Sequence, residues 1–229
     1  MPTMSPLLTR AAAWRDRRDR YGVLLAATVT TFAIEGIATP MVWDQVIVTA
    51  LLGSTLFLAL WAADARPVVL RVVMVTTVLV FLFSVVEAAA GKVDNSAVRL
   101  ANLLLVWFAP IAVVVGVVRS LKARKKVTVE AVLGVLCLYI LLGLFFAQLY
   151  GTIDRIHGSF FAGNVNTTPS DFVYFSFTTL TTIGYGDFTA GGNLGHTLSV
   201  TEGLLGQIYL VTIVSLLVGN LGRTRGGQQ

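Results

Sequence analysis

The residues from Thr181 to Asp187 read TTIGYGD, a string whose chemistry lies in its backbone oxygens. Gly184 and Gly186 alternate with Ile183 and Tyr185. Glycine has no Cβ, so these positions take positive φ without the steric penalty other residues meet. A segment that alternates left- and right-handed backbone conformations aims successive carbonyls at a single axis, which neither a helix nor a strand does. Carbonyls aimed in that way would be oxygen ligands suited to a cation.

Such a segment needs a rigid element before it and one after it. The preceding TPSDFVYFSFTTL opens like a helix, with Thr168 as N-cap, Pro169 at the first helical position and Asp171 three residues after the cap, where a carboxylate also meets the helix dipole. The run to about Thr181 allows three turns, too few to cross a bilayer, so a re-entrant helix is expected, its partly negative C-terminal end aimed at mid-membrane. Irregular backbone at that depth is tolerable only when buried in protein or lining water. Beyond the string, EGLLGQIYLVTIVSLLVGNLG from Glu202 is an uncharged stretch of membrane-spanning length.

Composition agrees with a membrane setting. The chain of 229 residues is 55% hydrophobic and 13% charged, with a mean hydropathy of +0.79, outside the range of soluble domains. Six apolar runs are expected to span: Tyr21 to about Thr39, interrupted by Glu35; Gln45 to Ala63; Val72 to Val86, bracketed by Arg71 and Glu87; Leu100 to Val118; Ala131 to Ile153; and Gly203 to Gly222. If these alternate, 14 of the 17 Lys and Arg residues fall on one face: the N-terminal tail, the loop with Arg66 and Arg71, the run Arg119 to Lys126, and the C-terminal tail. Both termini are then cytoplasmic and the TTIGYGD segment opens outward. The net charge of +5 is accounted for by this topology signal, so no nucleic-acid partner is implied. Cys137 is the sole cysteine and lies within an apolar run, which excludes a disulfide or a cysteine metal cluster. No nucleophile, base and orienter set is present, and an enzyme is not expected.

TTIGYGD, the capped helix before it and the spans on either side resemble the pore of potassium channels over residues 128–222. The resemblance implies a passive, potassium-selective pore in which the backbone of Thr182, Ile183, Gly184, Tyr185 and Gly186 forms the selectivity filter, replacing the hydration shell of K⁺ as the permeant ion. It implies a homotetramer, since one chain supplies one of four filter strands. It implies no cofactor and no small-molecule substrate, and a location in the cell membrane of, by type, a bacterium. Tyr174, Thr178 and Asp187 occupy the filter-support positions: the Trp pair of well-known bacterial pores is replaced by Tyr174 and Phe175, a carboxylate that some members keep behind the filter by Thr178, and Tyr174 can hydrogen-bond Asp187. Gly206 lies 20 residues after Gly186, where the family often keeps a hinge, though close helix packing explains a glycine equally well. A face from Gln207 through Leu210, Val214 and Val218 is the candidate inner cavity and gate.

The implied architecture is an all-α membrane protein: a cytoplasmic tail (1–20), a four-helix voltage-sensor-like bundle (21–119), a basic linker (120–127), a two-helix pore module with re-entrant helix and filter (128–222), and a second tail (223–229). Sensor function is not expected. At every third position after Arg99 stand Asn102, Leu105, Phe108, Ile111 and Val114. One charge crossing the field is worth about 2.3 kcal/mol per 100 mV, so four subunits supply about 9 kcal/mol against the tens that steep gating requires. Glu35 and Arg99 are expected near the outer ends of their helices, where they could pair, with Glu87 as a competitor for Arg99. Lys122, Arg124, Lys125 and Lys126 are candidates for anionic lipid headgroups, or for a plain topology anchor. Two alternatives stay open: a poorly selective cation channel, because the filter bracing is altered, and a potassium transporter subunit, disfavoured because those proteins carry four degenerate repeats in one chain.

Overall fold

The computed structural model describes residues 6–37, 43–90, 96–124, 129–163 and 166–225. Among these the regular elements are all helices: α1 (Pro6–Ile37), α2 (Asp44–Ala62), α3 (Pro67–Ala89), α4 (Ser96–Arg124), α5 (Val129–His157), α6 (Pro169–Leu180) and α7 (Gly192–Arg225). Three helices contain segments long and apolar enough to cross a membrane: Gln45–Ala62, Pro67–Ala89 and Ala131–His157. A shorter apolar stretch, Leu100–Val115, lies on α4, and the expected first and sixth runs lie on α1 and α7.

Apolar stripes with helical spacing build the main core. Leu52, Leu56 and Ala59 of α2, Val106, Ala109 and Val113 of α4, and Cys137, Leu141 and Leu144 of α5 are buried together with Leu24 of α1. Positions three and four apart share a face, so each helix presents a ridge to this cluster. Polar side chains within the stripes satisfy themselves locally. Thr28 and Thr49 each donate to the carbonyl four residues earlier, at 2.6 Å, and Thr49 also bonds Asn102 of α4 at 2.9 Å. Asn102 therefore sits at a packed α2–α4 contact, at the first position after Arg99 in the triplet series.

α1 and α4 both pack on α5 of the same chain, and α1 also touches α6, where the rings of Phe32 and Phe177 lie 4.4 Å apart. α3 packs mainly on α2 and only sparsely on α4, leaving Val72, Val75, Leu79, Leu82 and Val86 exposed. A helix that is apolar all round yet uncovered by protein is what contact with lipid requires. At one end of the bundle, Arg20 pairs with Asp64 in the α2–α3 turn at 3.0 Å, and its guanidinium lies 4.6 Å from the centre of the Trp61 ring. The Arg20 part of α1 and the α2–α3 turn thus share one end of the bundle.

Two segments outside the expected spans are helical. Residues 6–20, read as a tail, continue α1, since the Ala, Leu and Arg of LLTRAAAWRDRRDR are strong helix formers. The linker read from residue 120 is helical as far as Arg124. Pro110 lies inside α4 without ending it.

Candidate functional site

The TTIGYGD segment hangs from the C-terminus of α6. That helix starts as its sequence dictates: Pro169 is in the first turn, and the Asp171 carboxylate accepts from the Thr168 backbone N–H at 2.7 Å and from the Thr168 hydroxyl at 2.8 Å. At its other end the carbonyls that a helix leaves without partners are taken up by the TTIGYGD segment. The Thr178 carbonyl accepts the amides of Ile183 (2.8 Å) and Gly184 (3.2 Å), and the Thr179 carbonyl accepts that of Thr182 (3.0 Å). The segment is therefore tethered to α6 by its main chain.

The backbone alternates through the string. Thr182, Gly184 and Gly186 have φ of 61°, 52° and 82°, while Ile183 and Tyr185 keep negative φ. The glycines were expected in this conformation. Thr182 was not, for a β-branched residue at positive φ is strained. Its amide bond to Thr179 helps to hold it there.

The supporting residues are placed as follows. Tyr174 Oη donates to Asp187 Oδ2 at 2.8 Å, and its ring stacks parallel to that of Tyr185 with centroids 6.1 Å apart. The hydrogen bond to Asp187 is the chief reason that the Tyr174 phenol is held above its usual pKa. Thr178 acts through its carbonyl, while its hydroxyl donates back to Phe175 O at 3.0 Å. Outside the string, Ala162 N donates to Thr189 O and Gly191 N to Phe160 O, so the chain after α5 is stitched to the chain leaving the TTIGYGD segment. Beneath this stitch lies an aromatic cluster of Tyr150, Phe160, Phe161, Phe172 and Phe175.

α7 approaches from the other side. A Cβ on Gly206 would stand 2.5 Å from the Leu180 carbonyl oxygen, so this glycine is required for close approach to the end of α6. α7 runs through Gly206 as continuous helix. Gln207 Nε2 donates to Thr182 Oγ1 at 3.3 Å, which sets the first residue of the candidate gate face beside the first residue of the alternating segment. Leu210 is exposed on the same helix. The side chains of Val214, Val218, Lys122 and Arg124 lie outside the described part of the structure, as do Lys125 and Lys126 entirely.

Three polar residues not singled out from sequence meet behind α6. Glu202 of α7 is fully buried, and its carboxyl group contacts Tyr150 Oη of α5 at 2.6 Å and Ser176 Oγ of α6 at 2.5 Å. Ser176 Oγ also lies 2.7 Å from the Gly143 carbonyl of α5. Glu35, expected to pair with Arg99, is buried against α5, where it accepts from Gln148 Nε2 at 3.1 Å.

A family model described as "Ion channel" matches residues 134–222, from within α5 to within α7, and so covers α6 and the whole TTIGYGD segment. No curated protein and no solved structure matches the chain.

Proposed function

We propose that this chain is one subunit of a passive, potassium-selective channel in which four TTIGYGD segments surround a common axis. The observation that carries the reading is the alternation of φ at Thr182, Gly184 and Gly186 in a segment moored to the end of a short, capped helix. That conformation aligns carbonyls, and it lies inside the stretch similar to ion channels. Exposure supports the fourfold assembly. In the single chain Ile183 is 55% and Tyr185 69% accessible, as are Leu204, Ile208 and Val211 along α7, an apolar surface that only neighbouring subunits or lipid would cover.

The four helices in front serve as a scaffold and not as a strong voltage sensor. Asn102, in line with Arg99, is tied to Thr49, and the positions that follow at that spacing are apolar. Within this reading Tyr174, Thr178 and Asp187 brace the filter, Gly206 and Gln207 with Leu210, Val214 and Val218 face the inner cavity and gate, and Lys122, Arg124, Lys125 and Lys126 meet anionic lipid. The chain lies in the cell membrane with both termini cytoplasmic.

The reading is tested by cation uptake into vesicles holding the purified protein. K⁺ and Rb⁺ uptake with Na⁺ excluded is expected, and Gly184→Ala abolishes it. Equal uptake of Na⁺ would move the function to a poorly selective cation pore.

A further inference from the structure

The cluster behind α6 contains more oxygen contacts than its hydroxyl groups can serve. Three short contacts are present: Tyr150 Oη to Glu202 Oε2, Ser176 Oγ to Glu202 Oε1, and Ser176 Oγ to Gly143 O. Each is a full, near-linear hydrogen bond only with its own proton; one Ser176 proton shared between Glu202 and Gly143 would make two weaker, bent bonds. Tyr150 supplies one and Ser176 one, and a carbonyl has none to give. A protonated carboxyl group supplies the third, and each contact is then a two-centre bond.

We propose that Glu202 is held as a neutral carboxylic acid and acts as a positioning residue for the filter. Its Oε1–H donates to Ser176 Oγ, Ser176 donates to the Gly143 carbonyl, and Tyr150 donates to Oε2. With that proton every contact has a donor and an acceptor. Without it, Ser176 divides one proton between Glu202 and Gly143, and its bond to α7 or to α5 is weakened.

The surroundings agree with a neutral group. Glu202, Tyr150 and Ser176 are all fully buried within one chain, so neither water nor a neighbouring subunit reaches the carboxyl. From α5 the facing groups are Tyr150 and, further along the helix, Tyr139; from α6 the facing group is Ser176. None of these is a cation, and an unpaired buried carboxylate is costly.

Position makes the link relevant to the pore. Ser176 precedes by two residues Thr178, whose carbonyl holds the amides of Ile183 and Gly184, and one helical turn beyond Glu202 on α7 lies Gly206 against Leu180. The same α7 face thus grips α6 twice, and the filter hangs from the end of the gripped helix. This part of the inference rests on the reading of TTIGYGD as a filter, whereas the protonation state does not.

The test uses the full chain in lipid vesicles with Glu202→Gln, Glu202→Ala and Ser176→Ala. In the infrared difference between wild type and E202Q, the carbonyl stretch of a protonated carboxylic acid is expected in the wild type alone. Loss of ionised-carboxylate bands instead would overturn the proposal whether or not the protein conducts. In permeation, E202Q reproduces the neutral acid, its amide donating to Ser176 and accepting from Tyr150, and keeps the K⁺ to Na⁺ permeability ratio within about twofold. E202A and S176A leave buried polar groups without partners and lower that ratio by about tenfold. An E202Q protein that folds like the wild type but loses selectivity as fully as E202A would show that the charge is what matters, and would refute the neutral form.

Discussion

Replacing Gly206 by alanine puts a methyl group where the structure has room for none. The added Cβ would lie 2.5 Å from the Leu180 carbonyl oxygen and 2.9 Å from Leu180 Cδ1. An ordinary carbon–oxygen contact is about 3.3–3.6 Å, so α7 must retreat from α6 by about 1 Å. Leu180 cannot easily yield in its place, because Tyr139 Oη donates to that same carbonyl at 3.2 Å and the residue is fully buried. Overpacking of this kind costs about 1–3 kcal/mol. Alanine also gains about 1 kcal/mol of helix propensity over glycine, which masks part of the cost. Gly203 removes that ambiguity. It lies on the same helix, its added Cβ would stand 3.8 Å from Thr179 O, an ordinary contact, and it gains the same propensity. The difference between Gly206→Ala and Gly203→Ala therefore isolates the clash, at about 1–3 kcal/mol. It is measured by denaturant unfolding of the two variants in the same micelles. A retreat of α7 also stretches the 3.3 Å bond from Gln207 to Thr182, so unitary conductance falls in Gly206→Ala and is kept in Gly203→Ala. Two variants equal within about 0.5 kcal/mol, the usual range for neutral surface changes, would refute the close packing of α7 on α6.

Other expectations follow from the same contacts. Tyr174→Phe removes the donor to Asp187 and is expected to speed the decay of current during sustained opening, measured in macroscopic currents, while Asp187→Asn keeps an acceptor and decays more slowly than Tyr174→Phe. The Tyr174 pKa is raised from 10.0 by its bond to Asp187, so this support is complete below pH 10 and is lost only as pH climbs through the raised value; current decay is flat from pH 6 to 9 if it depends on this bond. Gly143→Ala would place a Cβ 2.6 Å from the Phe177 ring and is expected to destabilise the α5–α6 contact by about 1–3 kcal/mol, read from thermal unfolding. Arg20→Ala loses a partly exposed ion pair with Asp64 and its place over Trp61, and costs only about 1 kcal/mol in the same assay.

The string TTIGYGD and the start of α6 were legible because both are local: a positive φ at glycine, a Pro at the first helical position and a Thr–Asp cap are written into adjacent residues. The positive φ of Thr182 was not legible, since threonine by itself argues against it and only the Thr179 carbonyl makes it tenable. Glu202 was read as the edge of an apolar span. Its partners are 52 and 26 residues away, and a pairing of that kind is set by which helix faces meet. A signal was available nonetheless, for a lone acid inside an apolar stretch is expensive and calls for a partner. The same holds for Glu35, whose bond to Gln148 spans 113 residues. The length of α1 was missed for a different reason: arginines that marked a membrane boundary are also good helix formers, and the helix runs past that boundary.

The reversal potential across a planar bilayer containing the purified chain, with K⁺ on one side and Na⁺ on the other, bears on the filter most directly. A reversal far toward the K⁺ equilibrium potential, with little dependence of conductance on voltage, is the expected result. A reversal near zero would contradict a selective alignment of the Thr182 to Tyr185 carbonyls and leave a poorly selective pore in its place.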